Sequence, residues 1–265
     1  AAAAQAGAGE KPALGLAGVF KEFFLKIGRG AKIVWSDPVL RTSFLAYTAY
    51  MMLNPFLYSM LAPAYALRLV GAENAEAATA VGGWLTGLYS AGGLVGGLFM
   101  MREQSRIRKA RAEGTMDDAG ESAALRKSLL KWMLLGTAGL AALAAFAAPL
   151  PTLGGLVVLP KALAWLSGLS LPALALLPFG IAQVVSTVKL RSLFQAKAPK
   201  EDMADAMGFL GSASLAVTTA GLVALKWLFK GFEGFMPFLI IAGAMVPLAV
   251  AYLILRRQLG RHTAP

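Results

Sequence analysis

Charged residues are nearly absent from six stretches of the chain, at about 39–69, 79–101, 129–148, 170–193, 205–228 and 235–255. Each stretch, as a helix, is long enough to cross a hydrocarbon core of roughly 30 Å. The stretch at 205–228 fits once Asp205 and Lys226 are placed at its two ends. The pattern therefore predicts an all-α fold, a polytopic membrane helix bundle with six transmembrane helices.

The segments outside these spans differ in their patterns. Residues 1–15 are rich in Ala and Gly, which predicts a flexible linker and suggests that the chain follows something upstream. Residues 16–36 alternate apolar and charged positions, which predicts an amphipathic helix at the cytoplasmic face, although an ordinary soluble linker helix fits equally well. Residues 102–128 predict a cytoplasmic loop, 259–265 a cytoplasmic tail, and 155–166 an external loop with a short interfacial helix.

Composition and charge place the bundle in a membrane and orient it. Hydrophobic residues make up 57% of the chain and charged residues only 15%, which argues against a water-soluble enzyme. Of the 25 Lys and Arg residues, 21 fall on one side of the predicted bundle. The positive-inside rule makes that side cytoplasmic, with both termini inside a bacterial inner (plasma) membrane. Because the basic residues flank the spans, the net charge of +11 indicates topology and not nucleic-acid binding.

Polar side chains recur at helical spacing in the first and fourth spans. Polar groups are costly in lipid, so such a stripe should face a cavity or another helix. If it faces a cavity, the candidates for a substrate path are Tyr47, Tyr50, Asn54, Tyr58, Gln183 and Thr187. Aromatic packing between helices, with satisfied hydroxyls, explains the tyrosines equally well.

Small residues dominate the second and fifth spans. The glycines predicted to let helices approach closely are Gly83, Gly87, Gly92, Gly93, Gly96, Gly97, Gly211 and Gly221. The third and sixth spans are almost purely apolar. The order polar, small, apolar therefore occurs twice, as a 3+3 repeat of helices would produce.

Several kinds of chemistry are missing from the sequence. The chain has no cysteine and one histidine, His262, in the predicted tail. All acidic residues lie outside the spans or at their ends, and no phosphate-binding GxxxxGK[ST] motif occurs. We therefore expect no enzyme activity, no cofactor, no metal site and no buried carboxylate to carry protons.

Three segments resemble the C-terminal six-helix half of a major facilitator superfamily transporter, in its exporter-like branch. SDPVLR is similar to the start of that family's seventh helix, and LTGLYSAGGLVGGLF to its eighth. LRSLFQAKAPKEDMADAMGFLGSAS is similar to the connection between its tenth and eleventh helices, through Gln195, Pro199 and Gly208. The resemblance implies two six-helix halves that alternate around a central cavity, with the first half outside this chain.

The expected function is secondary active transport, exporting small organic or amphipathic solutes. The expected partners are the lipid bilayer, the small-molecule substrate, and an N-terminal six-helix half or a second copy, with no nucleic acid. Two alternatives remain open: a six-span substrate-binding subunit of a multi-subunit transporter, and a transport-inactive membrane scaffold that recruits a partner through residues 102–128.

Overall fold

The computed structural model describes residues 16–70, 73–144, 175–228 and 236–261. All regular structure in these ranges is helical, which confirms the predicted all-α class. The helices are α1 (Leu16–Ser36), α2 (Pro38–Phe56), a π-helical segment (Leu57–Leu61), α3 (Ala62–Val70), α4 (Ala75–Ala112), α5 (Asp118–Ala144), α6 (Leu176–Lys197), α7 (Met203–Leu228) and α8 (Met236–Arg261). The predicted linker at 1–15 and the short helix at 155–166 lie outside the described residues.

The first predicted span is one continuous helix with a change of winding in its middle. Asp37 caps its start, where its carboxylate accepts hydrogen bonds from the backbone N–H groups of Val39 and Leu40. Pro55 lies inside α2 and has no N–H to donate to the preceding turn. The π segment follows directly, and there the N–H of Ala62 donates to the carbonyl of Leu57, five residues earlier instead of four. Its second residue, Tyr58, belongs to the predicted polar stripe.

The helices pack in two overlapping groups, one around α6 and the other around α2. α6 packs most extensively on α4 and then on α5, whereas α2 packs on α7, α6 and α8. The larger hydrophobic core joins α2, α4, α5, α6 and α8 around Tyr50, Phe179 and Leu255. A smaller core joins α1, α2, α7 and the end of α6 around Val34, Phe44 and Leu210. Both predicted polar helices therefore lie in the interior of the bundle.

Some of the predicted packing glycines form the contact between α4 and α6. A Cβ at Gly92 would meet the carbonyl oxygen of Leu177, and a Cβ at Gly96 would lie 3.0 Å from that of Ile181. Gly180 of α6 completes the contact, because a Cβ there would meet the carbonyl oxygen of Tyr89. These glycines allow the two backbones to touch.

The other predicted glycines divide between contacts with single side chains and open space. An added Cβ would lie 3.3 Å from Val184 at Gly93 and 2.7 Å from Met52 at Gly221. It would meet nothing within 4 Å at Gly83, Gly87, Gly97 and Gly211. At these last four positions no described residue packs against the helix, so their packing role stays a prediction.

The predicted loop at 102–128 is mostly helical. α4 continues to Ala112 and α5 begins at Asp118, so only residues 113–117 connect the two helices. Arg111 bridges the turn, with ion pairs of 2.6 Å to Asp118 and 3.0 Å to Glu121. The prediction of a loop was wrong because the charges mark only the end of an apolar span, whereas the helix continues through them.

Two described helices, Ala75–Ala112 and Met203–Trp227, are long and apolar enough to cross a membrane. By themselves, two such helices are weak evidence for a membrane location, because a core helix of a soluble protein has the same length and composition. Here, however, fewer than a quarter of the residues in either apolar stretch are buried within the bundle. Leu94, Leu215 and Trp227 are at least two-thirds exposed.

Candidate functional site

A groove of about 510 Å³ lies where α2, the π segment, α4 and α6 meet. Four of the six predicted path residues line it: Asn54, Tyr58, Gln183 and Thr187. The two polar stripes, more than a hundred residues apart in sequence, are thus brought to one place. The rest of the lining consists of Met51, Tyr89, Ser90, Gly93, Leu94, Val184 and Val188.

Two hydrogen bonds connect the α2 side of the groove to α4. The Tyr89 hydroxyl donates to Asn54 Oδ1 at 2.8 Å, and the hydroxyls of Tyr58 and Ser90 are 3.0 Å apart. The rings of Tyr58 and Tyr89 meet edge to face, with centroids 5.3 Å apart. With Oδ1 occupied in this way, Asn54 keeps its amide N–H₂ as a donor for a bound molecule.

Gln183 holds α6 against α2 at the back of the groove. Its side chain is buried, and its Nε2 donates to the backbone carbonyl of Tyr50 at 3.1 Å. One turn along α6, the Thr187 hydroxyl donates to the carbonyl of Gln183 at 2.7 Å. The oxygens of both side chains keep lone pairs that can accept hydrogen bonds.

The structure places Tyr47 and Tyr50 elsewhere than in the groove lining. Tyr50 is fully buried in the larger core, and its hydroxyl lies beside Gly136 of α5. Tyr47 is half-buried and packs against both cores. Tyr50 therefore contributes to the groove only through its backbone carbonyl.

Tyr89 and Ser90 are lining residues that the sequence did not single out. They lie in the glycine-rich second span, where the small residues dominated the pattern. A signal was present, because Tyr and Ser are the polar residues in the middle of that span. Both lie next to Gly92 and Gly93, which bring α4 close to α6.

The groove offers amides and hydroxyls but no charge. Its lining residues include no Asp, Glu, Lys, Arg or His, and most of its exposed lining surface is apolar. Such a surface can hold a neutral molecule with one or two hydrogen-bonding groups on an apolar body. Nor do the described residues contain a cluster of three or more His, Cys, Asp or Glu that could hold a metal ion.

A buried ion pair lies near the end of α4 that the sequence predicts to be cytoplasmic. Lys189 of α6 is buried, and its Nζ is 2.8 Å from Glu103 Oε2 of α4. Ser128 of α5 donates to the same carboxylate oxygen at 3.3 Å, so the pair ties three helices together. Lys189 lies inside the predicted fourth span, and α6, which continues past it to Lys197, buries its side chain.

No protein-family model, no curated protein and no solved structure matches this chain. The resemblance to major facilitator transporters therefore rests on the three quoted segments alone.

Proposed function

We propose that this chain is a membrane protein that forms one six-helix half of a secondary transporter, and that it exports small neutral amphipathic solutes by alternating access. The observation that carries the proposal is the groove, in which Asn54, Tyr58, Gln183 and Thr187 meet although they come from two distant segments. Polar residues that converge on an uncharged cleft between helices are typical of solute sites near the membrane midplane.

The outer surface of the bundle supports the membrane location. Large apolar side chains are exposed on α4, α5, α7 and α8, among them Leu98, Leu134, Leu215 and Leu253, each more than half exposed. A soluble monomer rarely exposes contiguous apolar patches of this kind, because water makes them costly. Lipid would cover them at no such cost.

The packing order supports a 3+3 arrangement. α2 begins one group of three and packs on α7 and α8, the second and third helices of the other group, whereas its continuation α3 packs on α4 of its own group. α6 begins the other group and packs on α4 and α5, the second and third helices of the first. This exchange of neighbours is what an inverted repeat produces, with its first helices in the centre.

The mass of the native polypeptide tests whether a second half belongs to the same chain. An antibody to residues 102–128 would detect it in its source membrane. A mass of about twice 27.7 kDa would fit one chain with both halves, since two such units make about 400 residues or more. A mass near 27.7 kDa would require a second copy or another chain to complete the path.

Transport itself is tested with Asn54→Leu and Gln183→Leu in the full native polypeptide. Vesicles that contain the protein would be assayed for movement of chloramphenicol, a neutral amphipathic probe. We expect each variant to lower the rate at least tenfold, because each removes a hydrogen-bonding group from the groove. Unchanged rates in both variants would remove these residues from the path.

Thr137→Val is the matched control for these changes. It also replaces a polar side chain by an apolar one, but the Thr137 hydroxyl donates only to the carbonyl of Met133 in its own helix, at 2.9 Å. Transport by this variant should equal that of the unmodified protein. Tyr89→Phe adds a change that keeps the shape of the groove and removes only the hydrogen bond to Asn54.

A further inference from the structure

α1 carries an apolar stripe that is covered over only part of its length. Gly30 and Val34, near its end, are buried against the bundle. Towards its start, four apolar residues within about 100° of one another around the helix axis have large exposed side chains, and we call them the overhanging stripe. They are Leu16 (81% exposed), Phe20 (62%), Phe23 (47%) and Phe24 (66%).

The end of α1 is fixed to the first turns of α7. A Cβ at Gly30 would meet the carbonyl oxygen of Asp205 and lie 2.7 Å from Phe209, so the two helices touch there. Arg29 adds an ion pair of 3.7 Å to Asp205. α7 is one of the two helices long and apolar enough to cross a membrane, and Asp205 lies in its first turn. α1 is therefore held at the level where a membrane-crossing helix would leave the lipid.

The charges of α1 favour an anionic surface. The helix contains four basic residues, Lys21, Lys26, Arg29 and Lys32, and one acidic residue, Glu22. Glu22 is neutralised by Lys26 at 2.8 Å, and this hydrogen bond raises the pKa of Lys26. A helix with aromatic residues on one side and an excess of Lys and Arg on the other binds in the headgroup region of anionic bilayers.

We propose that the overhanging stripe inserts into an anionic lipid surface and that Lys21 and Lys32 bind its headgroups. In this position α1 anchors the start of α7 to the membrane surface. The inference rests on the membrane location given above, but it is independent of transport.

Single cysteine substitutions test this placement, because the 265 residues contain no other cysteine. Phe20→Cys and Phe24→Cys place a spin label on the stripe. Leu25→Cys is the matched control: Leu25 is also apolar and 53% exposed, but lies about 140° around the helix from Phe20. The labelled protein would be placed in vesicles of phosphatidylcholine with one quarter phosphatidylglycerol, and in phosphatidylcholine alone. The collision rate of the spin label would be measured with oxygen, which concentrates in lipid, and with a water-soluble nickel chelate.

In the anionic vesicles we expect spin labels at positions 20 and 24 to collide more often with oxygen than with the chelate. A label at position 25 should collide more often with the chelate. This contrast should weaken in phosphatidylcholine alone, at high salt, and in a Lys21→Glu, Lys32→Glu variant. If the chelate collides with labels at positions 20 and 24 as often as with a label at position 25, the stripe lies in water. Exclusion of both reagents would mean that a protein surface covers it, and equal contrast in both lipids would remove the role of headgroup charge. Each of these three outcomes overturns the proposal, whereas the transport assay with Asn54→Leu is unaffected by them.

Discussion

The contact between α4 and α6 depends on a glycine that tolerates no side chain. In Gly92→Ala, the new methyl group would meet the carbonyl oxygen of Leu177, and it would lie 3.1 Å from the amide nitrogen of Ile181. Both atoms belong to backbone, so no side-chain rotation can relieve the overlap. The two helices must move apart by about 1 Å for the methyl to reach ordinary van der Waals distance.

The cost follows from overpacking in a tightly packed interior, which is about 1–3 kcal/mol. Gly97→Ala is the matched control, because it lies in the same helix and a Cβ there meets nothing within 4 Å. Alanine is a better helix former than glycine by up to about 1 kcal/mol, so the control should be neutral or slightly stabilised. Gly92→Ala gains the same helix propensity, so the two alanine variants should differ in free energy of unfolding by the overpacking cost alone, about 1–3 kcal/mol.

Unfolding in mixed detergent micelles, followed by circular dichroism at increasing fractions of sodium dodecyl sulfate, measures this difference. We also expect weaker binding of a probe in the groove by Gly92→Ala, because Gly93 and Tyr89 in the same turn line it. Equal stability of the two alanine variants would refute the close backbone contact between α4 and α6.

The same unfolding assay checks three further predictions. Glu103→Gln should destabilise the protein by about 2–4 kcal/mol, because it leaves Lys189 buried without a counter-charge. The double variant Glu103→Gln, Lys189→Met should recover most of this loss. A double variant as unstable as Glu103→Gln alone would contradict this reasoning. Arg111→Ala should change the free energy of unfolding by no more than about 0.5 kcal/mol, since its two ion pairs are exposed. A loss several times larger would mean that these ion pairs stabilise the bundle, contrary to this prediction. Asp37→Ala should cost about 1 kcal/mol through loss of the helix cap, whereas Asp37→Asn, which can still accept the amide hydrogen bonds, should cost much less.

The placement of the polar stripe shows what helical spacing can and cannot predict. Tyr50 and Asn54 are one turn apart and indistinguishable by spacing, yet only Asn54 lines the groove. α5 decides the difference, because it covers Tyr50 and leaves Asn54 open. Tyr58, four residues after Asn54, does line the groove, although it lies in the π segment that follows Pro55.

The glycines and the buried lysine also show that neighbouring helices, and not spacing along one helix, decide which residues are in contact. Gly92 and Gly97 belong to overlapping GxxxG pairs in one helix, but a neighbouring backbone lies against Gly92 and not against Gly97. Lys189 is a charged residue within the predicted fourth span, and only the packing of α6 on α4 brings Glu103 to within 2.8 Å of its Nζ.

The sequence by itself determined the apolar parts of the helices, because runs of apolar residues and capping groups such as Asp37 act within a few residues of each other. It also determined which helices carry polar groups and which carry small ones, since both are properties of single segments. Only the tertiary structure decided which side of each helix is covered, which glycines touch a backbone, and that Asn54, Tyr89 and Gln183 share one groove. These facts depend on contacts between different helices, whose residues lie from 35 to 133 positions apart. The periodicity of one helix contains no information about the position of another.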